Sequence, residues 1–107
     1  MPLYLYQAAY TSESIANQVK NPQDRLAHAK QVLEGIGGTL IGGGYSFGEY
    51  DLTVIVEVPD DVTMAAFALA IAAGGAARAA KTTQLMSGAQ WIAALKKTSE
   101  VVKYRPA

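Results

Sequence analysis

Residues 48–61, GEYDLTVIVEVPDD, contain the clearest strand pattern in the chain. Side chains alternate between the two faces of a strand, so every second residue belongs to one face. One face is aliphatic and suits a core beneath helices: Leu52, Val54, Val56 and Val58. The other face is mixed: Asp51, Thr53, Ile55 and Glu57. The stretch therefore predicts a strand over Tyr50–Val58 with one buried face and one face that carries acids.

The segment before this strand predicts another strand followed by a broken helix. Leu3–Tyr10 is rich in aromatic and aliphatic residues, which favour strands. A helix follows Thr11, whose hydroxyl can cap it, and Asn21-Pro22 interrupts it because proline disfavours helix at the preceding residue. Asn21 is then predicted to cap a second helical stretch with Asp24 as its capping-box partner, and Gly37-Gly38 to end that stretch.

Three consecutive glycines, Gly42-Gly43-Gly44, lie within the next predicted strand, Thr39–Phe47. Glycines weaken a strand and are typical of a bulge or of close approach by another backbone. A phosphate-binding loop is a poor interpretation, because neither a lysine nor a helix N-terminus follows the glycines. A short turn at Gly48-Glu49 is predicted to join this strand to the strand at Tyr50–Val58.

The segment after residue 58 predicts a second main helix and a fourth strand. Pro59-Asp60-Asp61 stops the preceding strand and caps a helix over Val62–Ala73. An apolar stripe along that helix includes Met64 and Phe67, which favours packing against the sheet. The fourth strand is predicted over Ala77–Met86.

The C-terminal part predicts one further helix. Ser87 and Gln90 have the spacing of a capping box, and Lys96-Lys97 suits the end of a short helix. Beyond it, Val101–Tyr104 is expected to form either an edge strand or an arm that contacts a partner.

The order strand, helix, strand, strand, helix, strand predicts one α+β domain, residues 1–107, with the βαββαβ arrangement of a ferredoxin-like fold. Its antiparallel sheet would carry both main helices on one face. The other face would leave apolar side chains in water, and a second copy of the sheet is the simplest cover. We therefore expect a homo-oligomer that forms by sheet packing or by edge pairing.

Composition excludes several classes of function. Nine Lys+Arg balance nine Asp+Glu, so the chain lacks the basic surface that nucleic acids or anionic membranes require. With no cysteine and one histidine, His28, it has no disulfide, no thiolate nucleophile and no multi-histidine metal centre. No secretory signal opens the sequence and no apolar run is long enough to span a bilayer. We expect a cytoplasmic protein without cofactor or metal.

The acids of the central strand, Asp51 and Glu57, are candidate ligand or interface residues, as are Gly48 and Tyr50 in the turn before it. Six residues along a strand correspond to roughly 20 Å, which is too far for a catalytic carboxylate pair. Each could line a pocket between sheets, but the favoured roles are structural: Asp51 binds backbone around the turn, and Glu57 pairs with a cation. Tyr50 is expected to pack its ring over the hairpin, with a catalytic role as the alternative.

His28 lies at the boundary of the apolar face of its helix and is a candidate general base, because imidazole exchanges protons near neutral pH. An exposed surface histidine is the favoured alternative. Arg25, on the same helix, could orient a substrate. Arg78, on the fourth strand, is expected to form a structural ion pair with an acid of the central strand if both lie on the uncovered face.

The opening stretch also resembles the GYD domain family, a group of small bacterial proteins. Gly48, Tyr50 and Asp51 match the family's glycine, tyrosine and aspartate, and Glu57 with Pro59-Asp60 follows as in the family. The likeness extends over nearly the whole chain, although the alanine-rich stretch at 65–80 departs from the family pattern. The family resembles the dimeric α/β-barrel proteins, in which two ferredoxin-like sheets pack together. The resemblance therefore implies such a dimer and leaves the activity open.

Three functions remain open. The first is a homo-oligomeric domain with a mainly structural role in assembly, together with binding of a small molecule. The alternative is a cofactor-independent enzyme of the dimeric α/β-barrel type, such as an isomerase, monooxygenase or decarboxylase. It would act on a small aromatic or polyketide-like substrate between helices and sheet, with His28 as base and with Tyr50, Asp51 or Arg25 orienting the substrate. The third is a sensor of metabolites or partners, for which fold analogy is the only support.

Overall fold

The computed structural model describes residues 1–106. Its elements follow in the order β1 (Leu3–Tyr10), α1 (Ser12–Lys20), α2 (Arg25–Gly35), β2 (Thr39–Tyr45), β3 (Leu52–Glu57), α3 (Asp61–Ala73), β4 (Ala77–Leu85) and α4 (Gly88–Val101). The four strands form one antiparallel sheet in the order β2-β3-β1-β4. The α+β, ferredoxin-like fold class is therefore confirmed. Within residues 1–106 no helix is both long and apolar enough to cross a bilayer.

The core lies between one face of the sheet and the helices α2 and α3. Alternate residues of the two central strands are buried there, as their sequence pattern predicts: Tyr4, Tyr6, Ala8, Leu52, Val54 and Val56. Leu33 of α2 and two residues of α3, Met64 and Phe67, pack against them. The rings of Tyr6 and Phe67 meet edge to face, with centroids 5.6 Å apart. We call the opposite side of the sheet the open face.

The open face is built from the other set of alternating residues. Leu5 of β1 lies between Ile55 of β3 and Thr83 of β4 in the register of the sheet. Leu3 likewise lies between Glu57 and Leu85. These side chains are only partly exposed, because neighbouring strands shield one another. No helix from residues 1–106 buries them, so this side keeps an apolar surface.

The break between the first two helices is placed differently from the prediction. Asn21 does not cap α2; its N–H donates to the Asn17 carbonyl and so ends α1. Asp24 is the N-cap instead, and its carboxylate accepts the N–H of Leu26. Tyr45, at the end of β2, donates its hydroxyl to the same carboxylate oxygen, which explains why the cap falls there. Tyr45 and Asp24 are some twenty positions apart, so the sequence pattern around the helix start does not reveal their contact.

The β2–β3 connection and the C-terminus also differ from the predicted boundaries. The connection spans residues 46–51 rather than two residues, and Ser46 closes it by donating its N–H to the Asp51 carbonyl. The final helix continues past Lys96-Lys97 to Val101, because its capping box starts a helix that nothing interrupts. Residues 102–106 form neither strand nor helix, so the predicted edge strand is not formed.

The helix α4 projects from the rest of the molecule. None of its residues is buried, and Trp91, Ile92 and Leu95 are 59%, 54% and 54% exposed. The radius of gyration is 17.2 Å, whereas a compact chain of this length has about 13 Å. The molecule is correspondingly long, at 57 × 34 × 22 Å. The helix therefore forms an arm with an unpacked apolar surface.

The side chain of Tyr4 links the sheet to the start of α3. This contact makes the stability of the folded protein vary with pH in the alkaline range. The Tyr4 hydroxyl donates to Asp61 Oδ1, and this hydrogen bond, with burial and the nearby charges of Asp61 and Asp60, raises its pKa from 10.0 to about 12. The folded state thus keeps the proton at pH values where the unfolded chain has lost it. This stabilisation is complete below pH 10 and disappears as pH rises toward about 12.

We therefore expect Tyr4→Phe to flatten the fall in stability between about pH 10 and pH 12. The measurement is the urea midpoint at several pH values for both proteins. Tyr6, Tyr10 and Tyr45 also have raised pKa values and contribute to the wild-type slope, so only the difference between the two proteins is informative. Parallel curves would show that the Tyr4 hydroxyl does not hold its proton in this way.

Candidate functional site

A cleft of about 360 Å³ opens between α2 and α3, above the end of β1. We call it the α2–α3 cleft. Its floor comes from the sheet: Tyr6, Ala8, Tyr10, Leu52 and Ala77. Its walls come from the helices and the loop after α3: Arg25, His28, Ala29, Val32, Phe67, Ala70, Ile71, Gly74 and Ala76. The volume lies near the lower end of the range for small-molecule sites, which is roughly 300–1,000 Å³.

The floor of the cleft holds a polar group without a partner. Tyr6 is fully buried, and its hydroxyl makes no hydrogen bond with any residue that the structure describes. An unsatisfied buried hydroxyl costs about 1–3 kcal/mol. Burial raises the pKa of Tyr6, with nearby Tyr10 as a smaller cause, so the group remains a hydrogen-bond donor at neutral pH. A donor of this kind, carried by a residue of the cavity lining, is the feature that points most directly to a ligand.

A cation lies at the α2 end of the cleft. The guanidinium carbon of Arg25 lies over the ring of Tyr10, 5.5 Å from its centroid. Burial raises the pKa of Tyr10, while the positive charge of Arg25 acts in the opposite direction. Arg25 is the first residue of α2, and the Asp24 cap, which accepts the hydroxyl of Tyr45, fixes where that helix begins. The position of this arginine is therefore determined by two strands, through Tyr10 of β1 and Tyr45 of β2.

Two of the candidate residues from the sequence, Arg25 and His28, come together in the α2–α3 cleft. They lie on α2 three residues apart, which places them on neighbouring positions of one helix side. His28 is largely exposed and lines the mouth. No cluster of three or more histidine and acidic side chains among residues 1–106 is suited to hold a metal ion. The chemistry of the cleft is therefore that of hydrogen-bond donors around an apolar cavity.

The other candidates lie outside the cleft. Gly48 and Tyr50 belong to the β2–β3 turn, where the Tyr50 carbonyl accepts the Ser46 hydroxyl. Glu57 lies on the open face beside Leu3, at the far end of the sheet from the cleft. Arg78 lies in the β1–β4 bulge, on the same side of β4 as Thr82, which pairs with the buried Tyr6. It is therefore not on the uncovered face, where a pair with Glu57 could form.

Asp51 binds backbone, although not within its own turn. Its carboxylate accepts the N–H of Tyr10 at 2.8 Å, and its own N–H donates to the Ala8 carbonyl at 2.9 Å. Asp51 precedes β3 rather than lying within it. Its carboxylate is therefore directed toward the backbone of β1 and not toward the open face. Since Tyr10 supports Arg25 on the cleft floor, Asp51 stabilises one end of the cleft from behind.

We expect Asp51→Ala to lower the free energy of unfolding by about 1.5–3 kcal/mol, because it removes an acceptor with negative charge from a backbone N–H. Asp51→Asn keeps an acceptor oxygen of the same size and should cost clearly less. Urea denaturation of the three proteins provides the comparison. If both variants were as stable as the wild type, the aspartate would not have the backbone role assigned to it.

The cleft residues absent from the sequence candidates include its three large aromatic side chains, Tyr6, Tyr10 and Phe67. The alternation of Tyr4, Tyr6 and Tyr10 along β1 was a usable signal, since three phenols on one buried face require polar partners. Their relation to α2 arises only in the folded chain.

The chain was compared with protein families, with curated proteins and with solved structures. The family model of the GYD domain matches residues 4–95. No curated protein and no solved structure gave a match. The matched range includes the α2–α3 cleft and the turn that carries Gly48, Tyr50 and Asp51.

Proposed function

This chain belongs to the GYD domain family, and we propose that it acts as a homo-oligomeric domain that binds a small molecule in the α2–α3 cleft. The observation that carries the proposal is the hydroxyl of Tyr6, a residue of the cavity lining. This hydroxyl is closed to solvent in the free protein and has no hydrogen-bond partner in the described residues. A native core rarely leaves such a group unpaired, and an acceptor from a ligand would satisfy it.

The apolar character of the cleft supports a mainly hydrophobic ligand. Most lining side chains are aliphatic or aromatic, and the polar groups are few and concentrated at Tyr6, Tyr10, Arg25 and His28. Small-molecule sites have this composition, in which apolar walls supply affinity and a few polar groups fix orientation. Alanines at positions 29 and 70 leave room between the helices for a ring.

The experiment is a titration of isotope-labelled protein with naphthol and with para-hydroxybenzoate, followed by NMR chemical shifts. We expect the shifts to concentrate on residues that line the α2–α3 cleft. Ala70→Trp fills the cavity and should abolish them, whereas Ala72→Trp places the same ring on the opposite side of α3 as a control. Shifts spread over the whole surface, or unaffected by Ala70→Trp, would contradict the proposal.

The open face supports the proposed assembly. It exposes an apolar row that includes Leu5 and Ile55, and such a surface on a small domain favours a partner. A second copy is the partner we propose, because the same face is then buried twice in one symmetric interface. The α4 arm, with Trp91, Ile92 and Leu95 exposed, projects from the sheet and the other helices and supplies a further surface for the neighbouring copy. A stable monomer at micromolar concentration in sedimentation would contradict the assembly.

Proton transfer by His28 is a second candidate function, favoured by the position of that residue in the lining of the cleft. A carbon acid bound on the floor would have an imidazole at the mouth of its cavity. Deuterium exchange into the methylene group of a bound β-keto acid tests this function. The exchange should slow strongly in His28→Asn without loss of binding, and equal exchange by both proteins would restrict the cleft to binding.

A further inference from the structure

We propose that the ligand of the α2–α3 cleft is a planar aromatic acid that carries a second oxygen opposite its carboxylate. The inference rests on the proposed function, since it specifies the chemistry of the molecule bound in that cleft. It follows from three properties of the lining: the sign of its charge, the shape of its apolar part and the position of its unpaired donor.

The charge of the lining favours an anion. Arg25 and His28 are the groups in the lining that can carry positive charge, and none of the lining residues that the structure describes is acidic. Two neighbouring carboxylates are already bound: Asp51 accepts the Tyr10 N–H, while Asp24 accepts the Tyr45 hydroxyl and the Leu26 N–H. A third, Glu13, lines a separate pocket on the other side of Arg25. The hydrogen bonds of the two aspartates occupy part of their acceptor capacity. The carboxylate of a ligand would therefore offer the arginine more free acceptor positions.

Arg25 is suited to a carboxylate in particular. The guanidinium carbon of Arg25 lies over the Tyr10 ring, 5.5 Å from its centroid. A cation–π contact uses the ring face and no hydrogen-bond acceptor, so the N–H groups of the arginine can serve other partners. A planar guanidinium with free edge donors binds a carboxylate through two parallel hydrogen bonds. Its helix begins at a position fixed by Asp24 and Tyr45, so the donor is organised before a ligand arrives.

The rest of the cleft suits a ring. Phe67, Val32 and Ile71 provide apolar walls, and Ala29 and Ala70 add little bulk. An acid seated at Arg25 would place its ring between these walls. Its far end would then lie over the floor residue Tyr6, whose hydroxyl is closed to solvent in the free protein and has no partner in residues 1–106. The inference requires the bound ligand to displace neighbouring side chains and so reach this donor. A phenolic or keto oxygen at that end of the ligand would accept this hydrogen bond.

Calorimetric titration with three matched probes tests the inference. Para-hydroxybenzoate has both oxygen functions, para-hydroxybenzamide replaces the carboxylate with a neutral amide, and benzoate lacks the second oxygen. We expect para-hydroxybenzoate to bind most tightly, and the amide at least about tenfold more weakly, because a hydrogen-bonded charge pair is lost. Benzoate should bind several-fold more weakly than para-hydroxybenzoate.

Substitutions assign each preference to its residue. Arg25→Gln should bring the affinities for the acid and the amide close together, whereas Lys30→Gln removes an exposed charge of the same helix outside the cleft and should leave their ratio unchanged. Tyr6→Phe should weaken para-hydroxybenzoate to the level of benzoate. The same variant should raise Tm of the free protein, because it removes a buried hydroxyl without a partner. A purely structural tyrosine would lower Tm when replaced.

The outcomes separate this inference from the function on which it depends. If naphthol and the amide bind as well as the acid, and Ala70→Trp blocks all of them, the cleft is a binding site but the inference is wrong. If none of the probes binds to the wild type, or if Ala70→Trp changes nothing, both are wrong. If Tyr6→Phe lowers Tm and leaves the affinity ratio unchanged, the second oxygen is not recognised by Tyr6, and that part of the inference is overturned.

Discussion

Gly43→Ala is expected to lower the free energy of unfolding by about 3–5 kcal/mol, from backbone strain and steric overlap together. Gly43 has φ of +145°, a conformation that residues with a side chain rarely adopt. A Cβ at this position would also lie 2.7 Å from Val54 Cα and would press against the Thr53 carbonyl. Both neighbours are backbone of the central strand β3, so neither can rotate away as a side chain would.

The two flanking glycines provide matched controls within the same strand. A Cβ at Gly42 or at Gly44 would meet nothing within 4 Å. We expect Gly42→Ala and Gly44→Ala to change stability by less than about 1 kcal/mol, as is common for substitutions without a steric conflict. Urea denaturation followed by circular dichroism measures all three variants. Equal losses for the three would mean that glycine flexibility in β2, and not the contact with β3, determines stability.

Ile55→Lys is expected to raise the dissociation constant of the homo-oligomer by about two to three orders of magnitude. Ile55 lies on the open face, directly opposite Leu5 on the neighbouring strand. If this face packs against a second copy, the substitution forces an ammonium group to lose its water in a mainly apolar interface. Sedimentation equilibrium over a range of concentrations measures the constant for wild type and variant.

A lysine elsewhere shows whether charge alone explains the result. Ala72 is exposed on α3, on the helix side of the sheet, and Ala72→Lys should leave the association constant unchanged. Circular dichroism of Ile55→Lys should match the wild type, because Ile55 is partly exposed in the single chain. If Ile55→Lys associates as the wild type does, the open face is not the interface, and Leu95→Glu on the α4 arm would test the remaining apolar surface.

Much of the fold could be predicted because its signals are local. Alternation in β1 and β3 identified the buried faces, since burial on one side of a sheet imposes a period of two. The element order then indicated the ferredoxin-like class. Two of the boundaries that differed depend on particular hydrogen bonds, which hydrophobic periodicity does not reveal. The α2 cap requires Tyr45 from the end of β2, and the length of the β2–β3 turn follows from Ser46 pairing with Asp51.

The candidate site could be predicted only in part for the same reason. His28 and Arg25 were identified by residue type, since a histidine and an arginine on one helix side can act on a ligand. Their relation to Tyr6 and Tyr10 depends on how α2 crosses β1. The periodicity of apolar residues carries no information about that crossing. Arg78 was placed on the correct strand, but the β1–β4 bulge and the Thr82–Tyr6 pairing set it away from Glu57.

The strand β1 has a further consequence, because it belongs to both proposed surfaces at once. Tyr6 lies under the cleft on one side, and its neighbour Leu5 lies on the open face on the other. A ligand that fixes the inclination of β1 also fixes the surface that a second copy would meet. Occupancy and association should therefore be thermodynamically linked, and the linkage must be reciprocal. A ligand that strengthens the oligomer will bind the oligomer more tightly, by the same factor, than it binds the monomer.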